Sequence, residues 1–137
     1  MKQLCITVLL VDDFGEFRAA LSLLLKKKPE LQIVAEASDG IEAVEKSRQL
    51  QPDVILLDIG LPRLNGIAAA QQIREVAPQS KIIFVTQETS ADIMKEAIGS
   101  GGMGYVVKTT VESELLKAID LALEGKHFIG SGLTGNP

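Results

Sequence analysis

Two acidic residues stand together at Asp12-Asp13, a third stands at Asp58, and a threonine and a lysine follow at Thr86 and Lys108. What precedes each one makes them a set. Ile6 to Val11 runs apolar into the acid pair, Val54-Ile55-Leu56-Leu57 into Asp58, Ile82-Ile83-Phe84-Val85 into Thr86, and Tyr105-Val106-Val107 into Lys108. Short Val/Ile/Leu runs of this kind read as strands covered on both faces. In a parallel α/β sheet the C-terminal strand ends share one crevice, where such folds bind ligands. Three carboxylates gathered there repel one another, so some should hold their protons more tightly unless a cation intervenes. Oxygen-only ligands without a His or Cys beside them favour a hard metal, with Mg²⁺ the natural candidate. Lys108 adds a point positive charge and Thr86 a hydroxyl. Metal, ammonium and hydroxyl together are equipment for holding a phosphoryl group. One polar residue at a strand end is ordinary; this many on four strand ends favour a site.

The elements that must position this set alternate strand with helix. Strand one spans Leu4 to Val11, and a helix starting at Asp12 or Asp13 carries Phe14, Phe17, Leu21, Leu24 and Leu25 on one face. Lys26-Lys27-Lys28 closes it with charge favourable to the helix dipole, and Pro29 stops it. That lysine run reads as a solvated helix end in preference to a nucleic-acid contact. Leu31 to Ala37 is a shorter, partly exposed strand, and Ser38-Asp39-Gly40 is a turn and N-cap. Ile41, Val44 and Leu50 then give helix two an apolar stripe. After the Asp58 strand, a loop from Gly60 to Gly66 leads into helix three, with Ile67, Ala70, Ile73 and Val76. Lys81 to Thr86 is strand four. Ser90 or Thr89 caps helix four, with Ile93, Met94, Ala97 and Ile98, which dissolves in Gly99-Ser100-Gly101-Gly102. Tyr105 to Val107 is strand five, and helix five runs from Val111 to Leu123 with Leu115, Ile119 and Ala122 or Leu123 facing in. Gly125 closes it, and the Gly/Ser/Asn-rich tail from Lys126 to Pro137 is expected to add no further element. This alternation predicts an α/β fold with a doubly wound parallel sheet, right-handed crossovers and helices on both faces.

Composition removes several other function classes. A chain of 137 residues, 46% hydrophobic, is one domain with room for a real core. Aromatics at 4% and no Trp leave little on which single-stranded nucleic acid could stack. A net charge of −4 argues against a broad DNA-binding surface. The lone Cys5 cannot form an internal disulfide, which fits a reducing cytoplasm, and it is expected as a small buried residue of the first strand. No run approaches the roughly 20 apolar residues of a membrane span. The N-terminus imitates a signal peptide but has no small-residue cleavage site and runs straight into Asp12-Asp13. Gly99 to Gly104 matches a dinucleotide-binding GxGxxG, yet it follows a helix and precedes a strand, the reverse of the required order. An aspartate-nucleophile phosphatase would want Asp-x-Asp after strand one, whereas Asp12 and Asp13 are adjacent. His127 lies in the tail and reads as a linker residue, not a ligand or phosphocarrier.

From residue 4 to about 125 the sequence is similar to response-regulator receiver (CheY-like) domains. The resemblance rests on Val11-Asp12-Asp13, Leu56-Leu57-Asp58-Ile59-Gly60-Leu61-Pro62, Asn65-Gly66, Thr86 and Gly104-Tyr105-Val106-Val107-Lys108. Each motif alone is weak; their order and spacing together are specific. The resemblance implies a five-stranded, flavodoxin-like (βα)5 sheet of strand order 2-1-3-4-5. It implies Asp58 as the phosphoacceptor, taking a phosphoryl group from a sensor histidine kinase and catalysing nothing beyond its own phosphorylation and dephosphorylation. Asp13 would contact Mg²⁺ directly and Asp12 largely through water, with Asp58 and the Gly60 backbone carbonyl completing the metal site. Thr86 and Lys108 would bind the phosphorylated group, and Tyr105 would be the aromatic whose rotamer follows Thr86. This chain departs from the pattern at Thr109, where many relatives have proline, at Gln87, where a small residue is usual, and at Gly102, where alanine is commoner.

Glu124 to Ser131 is similar to the junction in NarL/FixJ-type receivers that precede a LuxR-type helix-turn-helix domain. The implied organisation is a receiver at residues 1–125 and a linker remnant at residues 126–137, with DNA contacted only through an output domain absent from this chain. Cytoplasmic location, a homodimer and no membrane association accompany that reading. A stand-alone receiver, or a degenerate interaction module that is not phosphorylated, is the alternative.

Overall fold

Val8 to Val11, Val54 to Leu57 and Ile82 to Val85 are almost wholly buried, as strands covered on both faces must be. The computed structural model describes residues 5–134. Its strands are β1 (Ile6–Val11), β2 (Leu31–Ala37), β3 (Val54–Leu57), β4 (Lys81–Thr86), β5 (Gly102–Val107) and β6 (Phe128–Ile129). The helices are α1 (Gly15–Leu25), α2 (Gly40–Leu50), α3 (Gly66–Val76), α4 (Ala91–Gly99) and α5 (Val111–Leu123). The strands form one parallel sheet of order β2-β1-β3-β4-β5-β6. Apolar residues of α2, α3 and α4 pack on one face, with Leu9, Ile55, Leu57, Phe84 and Tyr105. Those of α1 and α5 pack on the other, with Val8, Leu10, Leu56, Ile83 and Val106.

The expected order 2-1-3-4-5 is present, but the sheet has a sixth strand where five were expected. β6 pairs Phe128 with Gly104 and Ile129 with Tyr105, so the tail is not free of secondary structure. Its composition conceals this because two paired residues are too few to make a pattern. β5 also starts earlier than the apolar run suggests. Gly102 sits against Phe84, whose ring would lie 2.7 Å from a Cβ at that position, so glycine is what lets the strand close on that ring.

Other departures have local causes. Cys5 is exposed, lies before β1 and reaches Gln32 Oε1 through its thiol, contrary to the buried reading; the strand begins one residue later. Leu4 and residues 135–137 lie outside the described residues. Phe14, assigned from spacing to the inward face of α1, is 61% exposed because the helix starts only at Gly15. In α2 the inward face is Gly40, Ala43 and Ser47, while Ile41 and Leu50 are exposed. Small residues there let α2 approach the loop between β3 and α3: a Cβ on Gly40 would stand 1.8 Å from the Leu64 carbonyl oxygen. Asp39 caps α2 through Glu42 N–H and Ser90 caps α4 through Ile93 N–H, both as their side-chain chemistry predicts.

Candidate functional site

The β-ladder itself carries two of the acids into place. Asp58 N–H donates to Val11 O (3.0 Å) and Asp12 N–H to Ala37 O (3.0 Å), so both backbones continue the pairing one step past the strands. Both side chains are buried, whereas Asp13 is exposed. Asp12 Oδ1 accepts from Phe14 N–H (2.8 Å), and Arg18 Nη1 donates to the Asp12 carbonyl (2.5 Å). Asp58 Oδ1 accepts from Ile59 N–H at 2.7 Å, which fixes its carboxylate plane. Behind it the β3–α3 loop folds back, with Gly66 N–H donating to Ile59 O (2.8 Å). A Cβ on Gly66 would lie 1.9 Å from the Asp58 carbonyl oxygen, so only glycine permits this approach.

Lys108 closes the cluster. Its ammonium is 2.8 Å from Asp12 Oδ2 and 3.3 Å from Asp58 Oδ2, and lies 4.4 Å from the centre of the Phe17 ring. Burial pulls this lysine's pKa down, but the Asp12 hydrogen bond and the charges of Asp58 and Asp12 outweigh it, so the net shift is upward. Asp12 is raised above the ordinary carboxylate value, first by burial and also by the Asp58 charge, against the opposing pull of Lys108 and Phe14 N–H. Burial is thus the main reason Asp12 holds its proton more tightly, repulsion from Asp58 a smaller one, and Lys108 offsets only part of the two.

One carboxylate oxygen from each of Asp12, Asp13 and Asp58 lies within 4.8 Å of the others. All three are hard oxygen donors, which fits a hard divalent cation and not a soft one. A cleft of 420 Å³ opens beside them, lined by Asp13, Asp58, Gly60, Thr86, Glu88 and Lys108 among others. Thr86 is buried at the end of β4, and its Oγ1 accepts from Glu88 N–H (3.3 Å). Tyr105 is fully buried one strand over; its hydroxyl donates to the Glu88 carbonyl (3.0 Å). Burial, then the charges of Glu88 and Asp58, push its phenol up to about 12.

Every residue singled out from sequence thus converges on this corner, although Tyr105 reaches it through the backbone of Glu88 and not through the cleft wall. Thr109 follows Lys108 in a short 3-10 turn (Lys108–Thr110), and no cis peptide bond occurs among the described residues. Gln87 and Glu88 both line the cleft. Phe14 and Phe17 also belong here, one lining the cleft and one beneath the ammonium. Helical periodicity assigned both to the core, where Phe17 does pack, partly buried, against the α1/α5 cluster while Phe14 does not; their position just after the acid pair was the signal for a site role.

Comparisons with known proteins agree with this geometry. Residues 8–120 match the family described as Response regulator receiver domain. The chain is 35% identical to the transcriptional regulatory protein LiaR of Bacillus subtilis, covering 95% of this chain and 62% of that protein. It is 31% identical to the nitrate/nitrite response regulator protein NarL of Escherichia coli K12, covering 93% and 59%. The chain thus spans about three-fifths of the length of these curated relatives. Among solved structures, a LuxR-family two-component response regulator from Aurantimonas superposes with a TM-score of 0.86 at 31% identity, over 90% of this chain and 89% of that one. The response regulator domain of Thermotoga maritima CheB gives 0.82 at 36%, over 88% and 97%. Strand order, the acid-lined corner and the extent of these matches have one common explanation: the chain belongs to the response-regulator receiver domain family, a family of signalling modules, and its relatives include regulators of the NarL/LuxR type.

Proposed function

We propose that this chain is cytoplasmic, that its Asp58 accepts a phosphoryl group from the phosphohistidine of a sensor histidine kinase, and that this mark controls an output domain that binds DNA. The observation that carries the reading is the placement of the Asp58 carboxylate between Ile59 N–H and Lys108, with an oxygen of each of Asp12 and Asp13 within 4.8 Å. An Asp58 oxygen attacks phosphorus; the new O–P bond forms as the N–P bond to imidazole breaks, and the imidazole leaves with the electron pair. The product is an acyl phosphate, which is labile and so temporary.

Mg²⁺, held by Asp12, Asp13, Asp58 and the Gly60 carbonyl, would supply positive charge against the phosphoryl oxygens. The chain's own residues do the rest. Ile59 N–H and the buried β3 backbone keep the nucleophile from rotating. Lys108 neutralises charge on the Asp58 side of the cluster, and Thr86 offers a hydroxyl to a phosphoryl oxygen. Phosphorylation adds about −1.5 to −2 charge for a simple phosphoester, and a similar change here would redraw the hydrogen bonds among Thr86, Glu88 and Tyr105. Residues 126–137 are read as the junction to the output domain, as in the transcriptional regulators of similar sequence.

Acetyl phosphate with Mg²⁺ should add one phosphate to the wild type and none to Asp58→Asn, read by intact mass. Labelling that persists in Asp58→Asn overturns the assignment. No labelling of either protein favours a degenerate interaction module.

A further inference from the structure

The C-terminal segment is tied down at two separate ends. At one end β6 pairs with β5, Gly130 N–H donates to Tyr105 O (2.8 Å), and Glu114 Oε2 accepts from Ser131 N–H (2.9 Å) and Oγ (2.6 Å). At the other end Thr134 N–H donates to Thr89 O (2.6 Å) and Ala91 N–H donates to Thr134 O (2.8 Å). The Thr134 hydroxyl adds a contact to Thr89 O at 3.2 Å. Between them Gly132 takes a left-handed φ of +85°, and Leu133 packs against the apolar cluster that contains Tyr105 and Val107. The segment therefore crosses from the β5 edge to the start of α4.

The two ends differ in what holds them. The β6 end rests on the β5 backbone and on the Glu114 carboxylate of α5, and none of these bonds is made to the β4–α4 connection, which β5 meets through the Tyr105 hydroxyl. The Thr134 end rests on Thr89 and Ala91, which belong to that connection or follow it directly. Thr89 is the residue after Glu88, whose N–H engages Thr86 and whose carbonyl takes the Tyr105 hydroxyl. The cleft beside Asp58 and the anchor of the tail are thus joined through two consecutive residues.

We propose that residues 128–134 are a strap that holds the β4–α4 connection in its unphosphorylated arrangement, and that a phosphoryl group on Asp58 releases the strap's Thr134 end. The proposal rests on the reading of Asp58 as phosphoacceptor. Two forces act in the same direction. Added negative charge repels Glu88, which lines the same cleft, and the new oxygens draw the Thr86 hydroxyl towards Asp58. Both displace residues 86–89 relative to a strap whose other end does not move. Gly132, already in a conformation that glycine adopts without steric cost, is the hinge. Release uncovers the start of α4 and the seat of Leu133, and leaves the chain beyond Ser131 untethered. By linkage the effect is reciprocal: loosening the strap must favour the phosphorylated state.

The test uses the whole chain, with beryllium fluoride and Mg²⁺ as the phosphoryl analogue and amide hydrogen exchange read by NMR. Saturation should speed exchange at Thr134 and Ala91 by about fivefold or more, the lower end of ordinary coupling energies, and leave Gly130 unchanged. Thr134→Pro, which removes the donor to Thr89, should bind the analogue more tightly by a similar factor. If the analogue shifts the Asp13 and Asp58 resonances while Thr134 and Ala91 keep their protection and Thr134→Pro keeps wild-type affinity, the strap is refuted and the phosphoacceptor reading stands. If the analogue shifts neither aspartate, the phosphoacceptor reading falls and takes the strap with it.

Discussion

The centre of the sheet and its β5 side are built from different materials. At the centre, Val8–Val11 of β1 and all of β3 are runs of Val, Leu and Ile almost without exposure, and their last rungs present Asp12 and Asp58 through backbone pairing. On the other side, β5 opens with Gly102 and Gly104, and β6 is two residues long. The links that join Thr86, Glu88, Tyr105, Thr89 and Thr134 to one another there are hydrogen bonds, from one to a few per pair. Apolar burial sums over many atoms and gives way only all at once, whereas a single hydrogen bond nets about 0.5–1.5 kcal/mol and can be exchanged for another. The contrast assigns chemistry to the rigid half and readout to the half that can rearrange.

Stability should follow the same division. Leu57→Ala, at a fully buried position of β3, should cost about 2–5 kcal/mol in denaturant unfolding. Equal tolerance at this position and at the hydrogen-bonded Thr89 and Thr134 would break the comparison. Lys108→Ala should have a smaller and conditional effect. It leaves Asp12 and Asp58 facing each other without their cation, so the variant should be destabilised in chelator, rescued by Mg²⁺, and bind Mg²⁺ more tightly than the wild type, as calorimetry would register. Unchanged Mg²⁺ affinity would show that the lysine does not compete for these carboxylates.

Tyr105 supplies a direct reporter, since the chain has one tyrosine and no tryptophan. Its proton is held more tightly in the fold than in the unfolded chain. Its contribution to stability is therefore intact below pH 10.0 and is lost as pH rises from there towards about 12. Ultraviolet titration should show tyrosinate appearing late in the native protein, and Tyr105→Phe should lose this part of the alkaline destabilisation. An ordinary phenol titration would mean that the ring is not enclosed as described. The smallest effect belongs to Ile129→Ala on the partly exposed β6, which should stay within about 0.5 kcal/mol of the wild type.

The candidate site was legible almost residue by residue because each member stands at the end of a recognisable apolar run. A strand's period is short and its end is abrupt, so Asp12, Asp58, Thr86 and Lys108 could be placed without coordinates. Helix faces were harder. The inward side of α2 is Gly40, Ala43 and Ser47, small residues selected by the approach of α3, and hydrophobicity alone pointed instead to Ile41 and Leu50. Phe14 misled in the same way, since the spacing assumed a helix that began before Gly15. β6 was invisible because its pairing partner, the Gly104–Tyr105 edge of β5, is distant in sequence and supplies most of the reason for the strand to exist.

By itself the sequence determined the strand and helix order, the acids at the crevice and the kind of ligand that oxygen donors prefer. These follow from local periodicity and side-chain chemistry, which need no knowledge of neighbours. Only the tertiary structure decided that Lys108 bridges Asp12 to Asp58, that Gly66 must be glycine to clear the Asp58 carbonyl, and that the tail is anchored at Thr89. Each of these depends on distances between segments far apart in the chain, and such distances are set by how the layers pack.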